Sequence, residues 1–328
     1  MKRYFCKSCH TYFSIDYRQK EEPFWIQHID GVPLRKLGDE RGLSPTRTYA
    51  RVIKEFDALP NNTEITKQFC AYSSGILIVD GKFVKVRGYD QKIPFIYGMD
   101  YTSHDIPVAQ LSIAESGNAF DTFFAKLKAT GYPLRIVVAD DRSAITAALK
   151  RYFPDALIQR CQGHYLENVR NVLHLRTDKS QNHFFNSLKK HVFDEYENNE
   201  KLDAALHHVL TERCGNDDVK RCIVMDISNR RDELFAYTKI QGCPPNTNLI
   251  ELYNSHLNGR LKTIKGFKSF HAAERWLNAY MLRRRTKNLT DCGPKFKHLN
   301  GTCSLQQVLK NQALWPDILG IQQPKTER

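Results

Sequence analysis

The chain has 328 residues, of which 41% are hydrophobic and 26% charged, and its formal net charge at pH 7 is +13. This length allows roughly two to three domains, and the basic excess indicates a polyanionic partner, either nucleic acid or an anionic membrane surface. The lack of an apolar run of about 18 residues argues against a membrane protein. The polar N-terminus is unlike a signal peptide, and nine cysteines without a disulfide rhythm favour the cytoplasm.

Residues 1–18 look like one knuckle of a zinc ribbon, because Cys6 and Cys9 form a Cys-x-x-Cys pair among aromatic residues. A structural zinc ion needs four ligands, and His10 is too near and Cys70 too distant in sequence to complete the set comfortably. Zn²⁺ binding here therefore requires a second knuckle that is missing or separately encoded. We therefore favour a remnant with free thiols, and a complete zinc site within the chain is the alternative.

Residues 19–58 are predicted to form a helix-turn-helix DNA-binding domain. Gly31 ends a first helix, Pro33 opens a second, and Ser44 is the predicted N-cap of a third. The third helix would present a basic stripe to the major groove, formed by Arg47, Arg51 and Lys54. Its opposite face would point inward and carry Tyr49, Val52, Ile53 and Phe56. The alternative is a three-helix packing unit with a solvated basic face. The polar residues 61–63 predict a linker over 59–72.

Residues 73–164 predict an α/β region. Strand-like runs at 76–80, 93–101 and 106–113 indicate an antiparallel meander, with a turn at Gly81. A helix, a strand that ends at Asp140, a second helix and a short strand follow, and they lead into Cys161-Gln-Gly-His164. A meander followed by a strand-helix-strand unit matches the ribonuclease-H-like fold, in which the first and fourth strands lie side by side.

The remainder of the chain has helical periodicity. Residues 165–245 are predicted to be an all-helical insertion, and residues 246–290 to be the final helices of the core, with Glu251 near the start of the first. Residues 291–328 are expected to form a C-terminal basic tail. Between residues 260 and 297 there are eleven Lys/Arg and two acids, giving 11 − 2 = +9. We expect this stretch to contact the DNA backbone through Arg260, Lys262, Lys265, Arg283, Arg284 and Arg285. The alternative is a charged helix face that only contacts solvent.

Three carboxylates stand out: Asp80 and Asp140 end apolar runs, and Glu251 lies on a helix. Mg²⁺ prefers oxygen ligands and is held by few carboxylates. Two such ions roughly 3.5–4 Å apart can clamp the attacking and leaving oxygens of an in-line phosphoryl displacement. The alternative for each acid alone is that it merely ends a strand or caps a helix.

From about Ile76 to Arg285 these blocks resemble the Mutator-like DDE transposases, whose bacterial members form a large insertion-sequence group. One motif of the family is matched by Phe153-Pro154, Cys161 and His164, and the "T-N…E..N..LK.RLK" block by Thr247, Asn248, Glu251, Asn254, Leu257, Arg260, Leu261 and Lys262. One departure is Asp140-Asp141, where the family usually has Asp-Gly. The register favours Asp140, and Asp141 remains an alternative.

The resemblance implies that Asp80, Asp140 and Glu251 are catalytic and bind two Mg²⁺ (or Mn²⁺) ions. Cys161, His164 and Asn254 would support the site, with Cys161 and His164 bracing it rather than binding zinc. The implied partners are double-stranded DNA, both transposon terminal inverted repeats and target, and a second copy of the chain, at the bacterial nucleoid. Two alternatives are a catalytically inactive or domesticated DNA-binding regulator and a ribonuclease-H-like nuclease without strand transfer.

Overall fold

The computed structural model describes residues 2–5, 7–8, 10–15, 22–114, 116–311 and 319. The described chain forms two compact units, one of the residues up to Leu59 together with residue 319, and a second from Pro60 to residue 311. The first unit opens with a hairpin, in which β1 (Lys2–Phe5) pairs antiparallel with β2 (Tyr12–Ile15). The predicted zinc ligands Cys6 and Cys9 lie outside the described residues.

Three helices complete the first unit: α1 (Phe24–Asp30), α2 (Leu34–Glu40) and α3 (Pro45–Asp57). The predicted ends are confirmed. Gly31 ends α1 with a φ of 119°, which favours glycine, and the Ser44 hydroxyl caps α3 by accepting from the backbone N–H of Arg47. This cap satisfies one of the backbone donors that a helix start leaves without an intrahelical partner.

The inward face of α3 differs from the prediction at one position. Val52 and Phe56 are buried, but Tyr49 is 47% exposed and Thr48 is buried in its place. The reason is the close approach of α2, since a Cβ on Gly38 would lie 2.7 Å from the Thr48 hydroxyl oxygen. A tyrosine ring could not fit there, so the core stripe uses the small Thr48 and continues at i+4 and i+8.

The second unit is built around a five-stranded sheet in the order β5-β4-β3-β6-β7. Its strands are β3 (Ile76–Val84), β4 (Ile93–Asp100), β5 (Val108–Leu111), β6 (Ile136–Ala139) and β7 (Leu157–Arg160). The first three form the predicted antiparallel meander, and β6 joins β3 in parallel on its other side. The first and fourth core strands are therefore adjacent, as expected of a ribonuclease-H-like core.

The turn predicted at Gly81 was wrong. Strand β3 continues through Gly81, which lies opposite Ile96, and the ladder with β4 extends to Val84 opposite Ile93. Asp80 is therefore in the middle of a long strand rather than at its end. The pairing with β4 extends from Leu77 to Val84 and supplies the backbone hydrogen bonds that a turn would have lost.

Two helices cover one face of the sheet, α5 (Gly117–Ala129) and α6 (Ser143–Tyr152). Their apolar side chains and those of the strands form one core cluster. Helix α5 was predicted from four apolar residues at helical spacing, and all four are buried: Phe120, Phe123, Phe124 and Leu127. Burying each such side chain contributes roughly 1.5–3 kcal/mol, so these aromatic residues serve the core.

Between β7 and residue 248 the described chain contains helices and no strand. The helices are α7 (Gln162–Val172), α8 (Asn182–Leu188) with a π-helical turn (Lys189–Asp194), α9 (Asn199–Arg213), α10 (Asp218–Asn229), α11 (Arg231–Leu234) and a 3-10 turn (Ala236–Lys239). This segment has an apolar cluster of its own, to which Phe184, Leu188, Val192, Leu202 and Leu206 belong.

The last part of the chain returns to the sheet unit. It contains α12 (Asn248–Ile264), α13 (Phe270–Thr286), a 3-10 helix (Pro294–Leu299) and α14 (Ser304–Val308). No helix within the described ranges is long and apolar enough to cross a membrane.

The predictions of a polar linker over 59–72 and of a basic tail from 291 onward need correction. The linker range contains helix α4 (Asn62–Phe69), in which Ile65 is only 1% exposed. The described part of the tail packs beside it, because the N–H of Lys310 donates to the Phe69 carbonyl and α14 buries Leu305 and Val308. Both segments have apolar side chains at helical spacing, and burying these outweighs the polarity of their neighbours.

Arg285 was predicted to contact DNA, and this was wrong. Its side chain is fully buried, and its Nε and Nη2 atoms donate to the two carboxylate oxygens of Asp105 at 2.9 and 2.8 Å. Its Nη1 atom donates to the backbone carbonyl of Asn62 at 3.0 Å, and Nη2 also contacts the Cys70 sulfur. Arg285 therefore joins α13 to α4 and to the loop after β4, and it is unavailable to phosphate.

We predict that Arg285→Met destabilises the protein by about 3–5 kcal/mol, because it leaves the buried Asp105 carboxylate without its partner. Lys268→Met is the matched control, since Lys268 is exposed and surface changes usually stay within about 0.5 kcal/mol. Urea unfolding followed by circular dichroism measures both. Equal stability of the two variants would contradict a structural role for this ion pair.

Candidate active site

The sheet register brings the first two acids together. The last paired residues of β3 and β6 are Ile78 and Val138. Asp80 and Asp140 each follow that pair by two residues, so they lie at the same level of adjacent parallel strands and on the same face. Glu251 is the fourth residue of α12, and it interacts electrostatically with both acids.

Asp80 is held from two sides. The N–H of Gly81 donates to its Oδ1 at 2.7 Å, and the Asn254 side-chain amide donates to its Oδ2. The Oδ1 of Asn254 in turn accepts from the Tyr97 hydroxyl at 3.0 Å. Asn254 therefore links α12 to the two central strands. The pKa of Asp80 is raised to about 6, mainly by burial and in part by the negative charges of Asp140 and Glu251, while the Gly81 hydrogen bond and His164 counteract the rise.

Asp140 is held mainly through its backbone. Its carbonyl accepts from Nη1 of the buried Arg160 at 2.9 Å, and Arg160 also donates to the Thr146 hydroxyl. Its Oδ1 lies 2.7 Å from His164 Nδ1, but neither atom makes an aligned hydrogen bond. Burial raises the pKa of Asp140, His164 counteracts this rise, and the charge of Glu251 adds to it.

Glu251 is oriented by the residue that begins its helix. Its Oε1 accepts from the Thr247 hydroxyl at 2.8 Å and lies 3.9 Å from His164 Nε2. Thr247 also contacts the sulfur of Cys161, with N–Sγ and Oγ1–Sγ distances of 3.4 and 3.2 Å. The Thr247 hydroxyl has one proton, which it can donate to only one acceptor at a time. With that proton given to Glu251, the contact with Cys161 is made by the hydroxyl oxygen and the backbone N–H, so Thr247 connects Cys161 to Glu251.

The two residues of the Cys-x-x-His pair thus act on different acids. Cys161 is buried, and its N–H donates to the Ala139 carbonyl, just before Asp140. His164 lies in the first turn of α7, with one ring nitrogen toward Asp140 and the other toward Glu251. The predicted support residues Cys161, His164 and Asn254 are therefore all beside the three acids.

Asp141, the alternative to Asp140, has other partners. Its Oδ2 lies 2.8 Å from Arg230 Nη1, and its Oδ1 lies 3.6 Å from Arg160 Nε. These ion pairs join the loop after β6 to the helical segment, and they occupy the carboxylate. The geometry favours Asp140 as the acid that faces Asp80 and Glu251.

The remaining residues predicted to bind DNA are spread over both units. On α3, Arg47 and Lys54 are exposed, whereas Arg51 lies 2.9 Å from Glu55 in an ion pair. Lys262 and Lys265 are exposed near the end of α12, and the four arginines of the set differ in burial. Arg260 and Arg283 are half-buried, Arg284 is half-buried over the Tyr253 ring at 4.6 Å, and Arg285 is fully buried.

Three residues of the site were not assigned a role from the sequence: Tyr97, Arg160 and Thr247. Thr247 belongs to the motif that contains Glu251, and its place as the helix N-cap was a usable signal. Arg160 directly precedes Cys161, but nothing in the sequence indicates its burial. Tyr97 reaches Asn254 across 157 residues, and no local pattern predicts such a contact.

The donor set of the three acids suits hard divalent cations, because it offers carboxylate oxygens that repel one another. Among the histidine, cysteine, aspartate and glutamate side chains of the described residues, the one group of three whose possible metal ligands lie within 4.8 Å of one another is Asp140, Cys161 and His164. The oxygens of the three carboxylates do not all lie within that distance of one another.

Comparison with known proteins gives one family. Residues 68–288 match the family described as "Transposase, Mutator family". The chain is 28% identical over 176 residues to the "Transposase for insertion sequence element IS256 in transposon Tn4001" of Staphylococcus aureus, which is 51% of this chain and 43% of the relative. It is 32% identical over 99 residues to the transposase for insertion sequence element ISRM5 of Rhizobium meliloti, 28% of this chain and 25% of that one. The chain thus spans less than half the length of these relatives.

Two solved structures of low similarity were also found. The "Drosophila P element transposase strand transfer complex" gives a TM-score of 0.37 at 9% identity over 80% of this chain and 91% of that chain. The "Mos1 transposase paired-end complex with left transposon end" gives 0.18 at 10% identity over 68% and 81%.

If the three carboxylates repel one another, Mg²⁺ or Mn²⁺ should raise the melting temperature of the protein without DNA. At a metal concentration about 100 times Kd, binding to the folded state alone stabilises it by about 2.7 kcal/mol. Asp80→Asn, Asp140→Asn and Glu251→Gln should each reduce this stabilisation, whereas Asp141→Asn should retain it. Thermal unfolding by differential scanning calorimetry measures the effect, and an Asp140→Asn variant with the full metal response would remove Asp140 from the set.

Proposed function

The chain belongs to the Mutator family of transposases, and we propose that it is a DDE-type DNA transposase. It would cleave transposon ends and join the 3′-hydroxyl to target DNA by in-line phosphoryl transfer. The observation that carries the proposal is the common register of Asp80 and Asp140 on adjacent parallel strands, with Glu251 on the helix beside them. The proposed fold is a ribonuclease-H-like core with an all-helical insertion over 165–245.

Asp80, Asp140 and Glu251 would hold two Mg²⁺ or Mn²⁺ ions, which when bound supply an activated oxygen nucleophile and stabilise the charge of the displacement. The protein's own contribution is to keep these carboxylates in position before DNA arrives. Asn254 and the Gly81 N–H fix Asp80, and the Arg160 guanidinium fixes the backbone of Asp140.

The Cys-x-x-His pair would orient the third acid relative to the second. Cys161 contacts Thr247, whose hydroxyl donates to Glu251. His164 lies between Asp140 and Glu251, so its ring would keep the two carboxylates apart and limit access of water. No tyrosine or serine nucleophile is needed, because a hydroxyl of water or of DNA attacks the phosphorus directly.

DNA would be recognised by α3 and bound by the basic surface that follows the third acid. Arg47 and Lys54 are exposed on α3, where an arginine can pair with a guanine edge in the major groove. Lys262 and Lys265 are exposed on and just after α12, and they suit phosphate contact. Synapsis of two transposon ends requires two protomers, so a homodimer on double-stranded DNA is part of the proposal. Such a protein would work at the bacterial nucleoid.

Asp80→Asn, Asp140→Asn and Glu251→Gln should each abolish cleavage of transposon-end DNA and leave end binding largely intact, because only metal binding is lost. Asp141→Asn is the matched control and should be much milder, since Asp141 is paired with Arg230. A gel assay with labelled end DNA measures cleavage, and a shift assay measures binding. Cleavage at full rate by any triad variant would remove that residue from the proposal.

The same assay with pre-cut ends separates the alternatives. A transposase joins the 3′-hydroxyl to target DNA, whereas a ribonuclease-H-like nuclease without strand transfer gives hydrolysis products only. A catalytically inactive DNA-binding regulator gives neither product, yet still selects end DNA. The three acids and their supporting hydrogen bonds argue against the regulator.

For recognition, Arg47→Ala should lower the preference for end DNA over random DNA by about 1–3 kcal/mol, if the side chain reads a base. Arg51→Ala should cost less, because Arg51 is already paired with Glu55. Arg35→Ala, an exposed arginine on α2, is the control and should leave the preference unchanged. Fluorescence anisotropy with both DNAs at several salt concentrations measures this ratio, and an unchanged ratio for Arg47→Ala would assign specificity elsewhere.

A further inference from the structure

Three metal-binding side chains of different chemistry converge beside the proposed triad. The donor atoms of Asp140, Cys161 and His164 lie within 4.8 Å of one another. Asp140 Oδ1 and His164 Nδ1 are inaccessible to solvent, make no aligned hydrogen bond and lie 2.7 Å apart. Apart from each other, neither atom has a hydrogen-bond partner, and a buried polar atom without one costs about 1–3 kcal/mol. A metal ion that takes both atoms as ligands would remove this cost.

Regular secondary structure fixes the positions of this trio. In the parallel pairing of β6 with β7, Ala139 lies opposite Arg160. The residue that directly follows each strand is a donor, Asp140 after β6 and Cys161 after β7. His164 follows within the first turn of α7, so two donors lie at positions i and i+3 of one segment. Sites on strands and helices hold ligand geometry better than sites on loops.

We propose that Asp140, Cys161 and His164 form a binding site for a borderline-soft transition metal, namely Zn²⁺. Thiolate and imidazole ligands select zinc, whereas Mg²⁺ prefers oxygen ligands alone. Three protein ligands leave a fourth position open, as in zinc sites that are not purely structural. The N–H of Thr247, which lies 3.4 Å from the Cys161 sulfur, supplies the outer hydrogen bond that typically orients a metal-bound ligand.

The site shares Asp140 with the proposed magnesium-binding triad. Zinc bound by Asp140 withdraws one of the three carboxylates, so zinc is an inhibitor of Mg²⁺-dependent DNA cleavage. This consequence rests on the proposed transposase function, whereas zinc binding itself does not.

The experiment uses the full chain carrying Cys6→Ser and Cys9→Ser, which removes the other cysteine pair that could bind zinc. Co²⁺ is the spectroscopic probe, added without DNA or Mg²⁺. We expect a thiolate-to-cobalt charge-transfer band that saturates at one Co²⁺ per chain and that Zn²⁺ abolishes by displacement. Cys161→Ser should remove this band. His164→Gln should weaken Co²⁺ binding by more than tenfold, because it removes a direct ligand, and losing even an outer hydrogen-bond partner costs roughly 10–100-fold.

Cys222→Ser is the matched control, because Cys222 is an exposed cysteine, and it should leave the band unchanged. Absence of a charge-transfer band, or its persistence in Cys161→Ser, would overturn the metal site. The Cys161 side chain is buried, so the Cys161→Ser variant could fail to fold. His164 is 43% exposed, so His164→Gln is the second test. Unchanged Co²⁺ affinity in His164→Gln also overturns the site. DNA cleavage assays test the shared role of Asp140. If Zn²⁺ binds but does not inhibit Mg²⁺-dependent cleavage, that shared role is overturned. If the protein does not cleave DNA in Mg²⁺ alone, the result counts against the transposase function instead.

Discussion

The parallel pairing of β6 between β3 and β7 is the constraint on which the site depends. Its register fixes Asp80 beside Asp140 and Asp140 beside Cys161, and the residues of β6 that set this register, Ile136–Ala139, are fully buried. A slip of one residue would turn every side chain of β6 to the other face. It would bury Asp140 in the apolar cluster of α5 and α6, so the register that packs the core also exposes the acid.

Placing several acids together is unfavourable, and the surrounding hydrogen bonds offset part of that cost. The pKa of Asp80 is raised to about 6, mainly by burial and partly by the charges of Asp140 and Glu251. Asn254 and Thr247 hold two of the carboxylates from the same helix. Preorganisation of this kind is costly without a ligand, and it is typical of functional sites rather than of stable cores.

Much of the sheet and the site was predictable, because strong local signals coincided with the fold. The apolar runs before Asp80 and Asp140, and the cap at Ser44, correspond to β3, β6 and α3. Predictions failed where a distant contact decided the outcome. Arg285 belonged to a basic run, yet it is paired with Asp105, 180 residues earlier in the chain. Likewise, residues 59–72 were polar enough to predict a linker, but Asn62 makes hydrogen bonds with Arg285 and Ile106.

The central claim is that Asp80, Asp140 and Glu251 together bind divalent cations for phosphoryl transfer on DNA. The most direct measurement is anomalous scattering from Mn²⁺ in crystals of the protein with transposon-end DNA. The account predicts two manganese peaks among the three carboxylates, about 3.5–4 Å apart, next to the phosphate at the transposon end. Manganese bound elsewhere, or at Asp141 instead of Asp140, would contradict it.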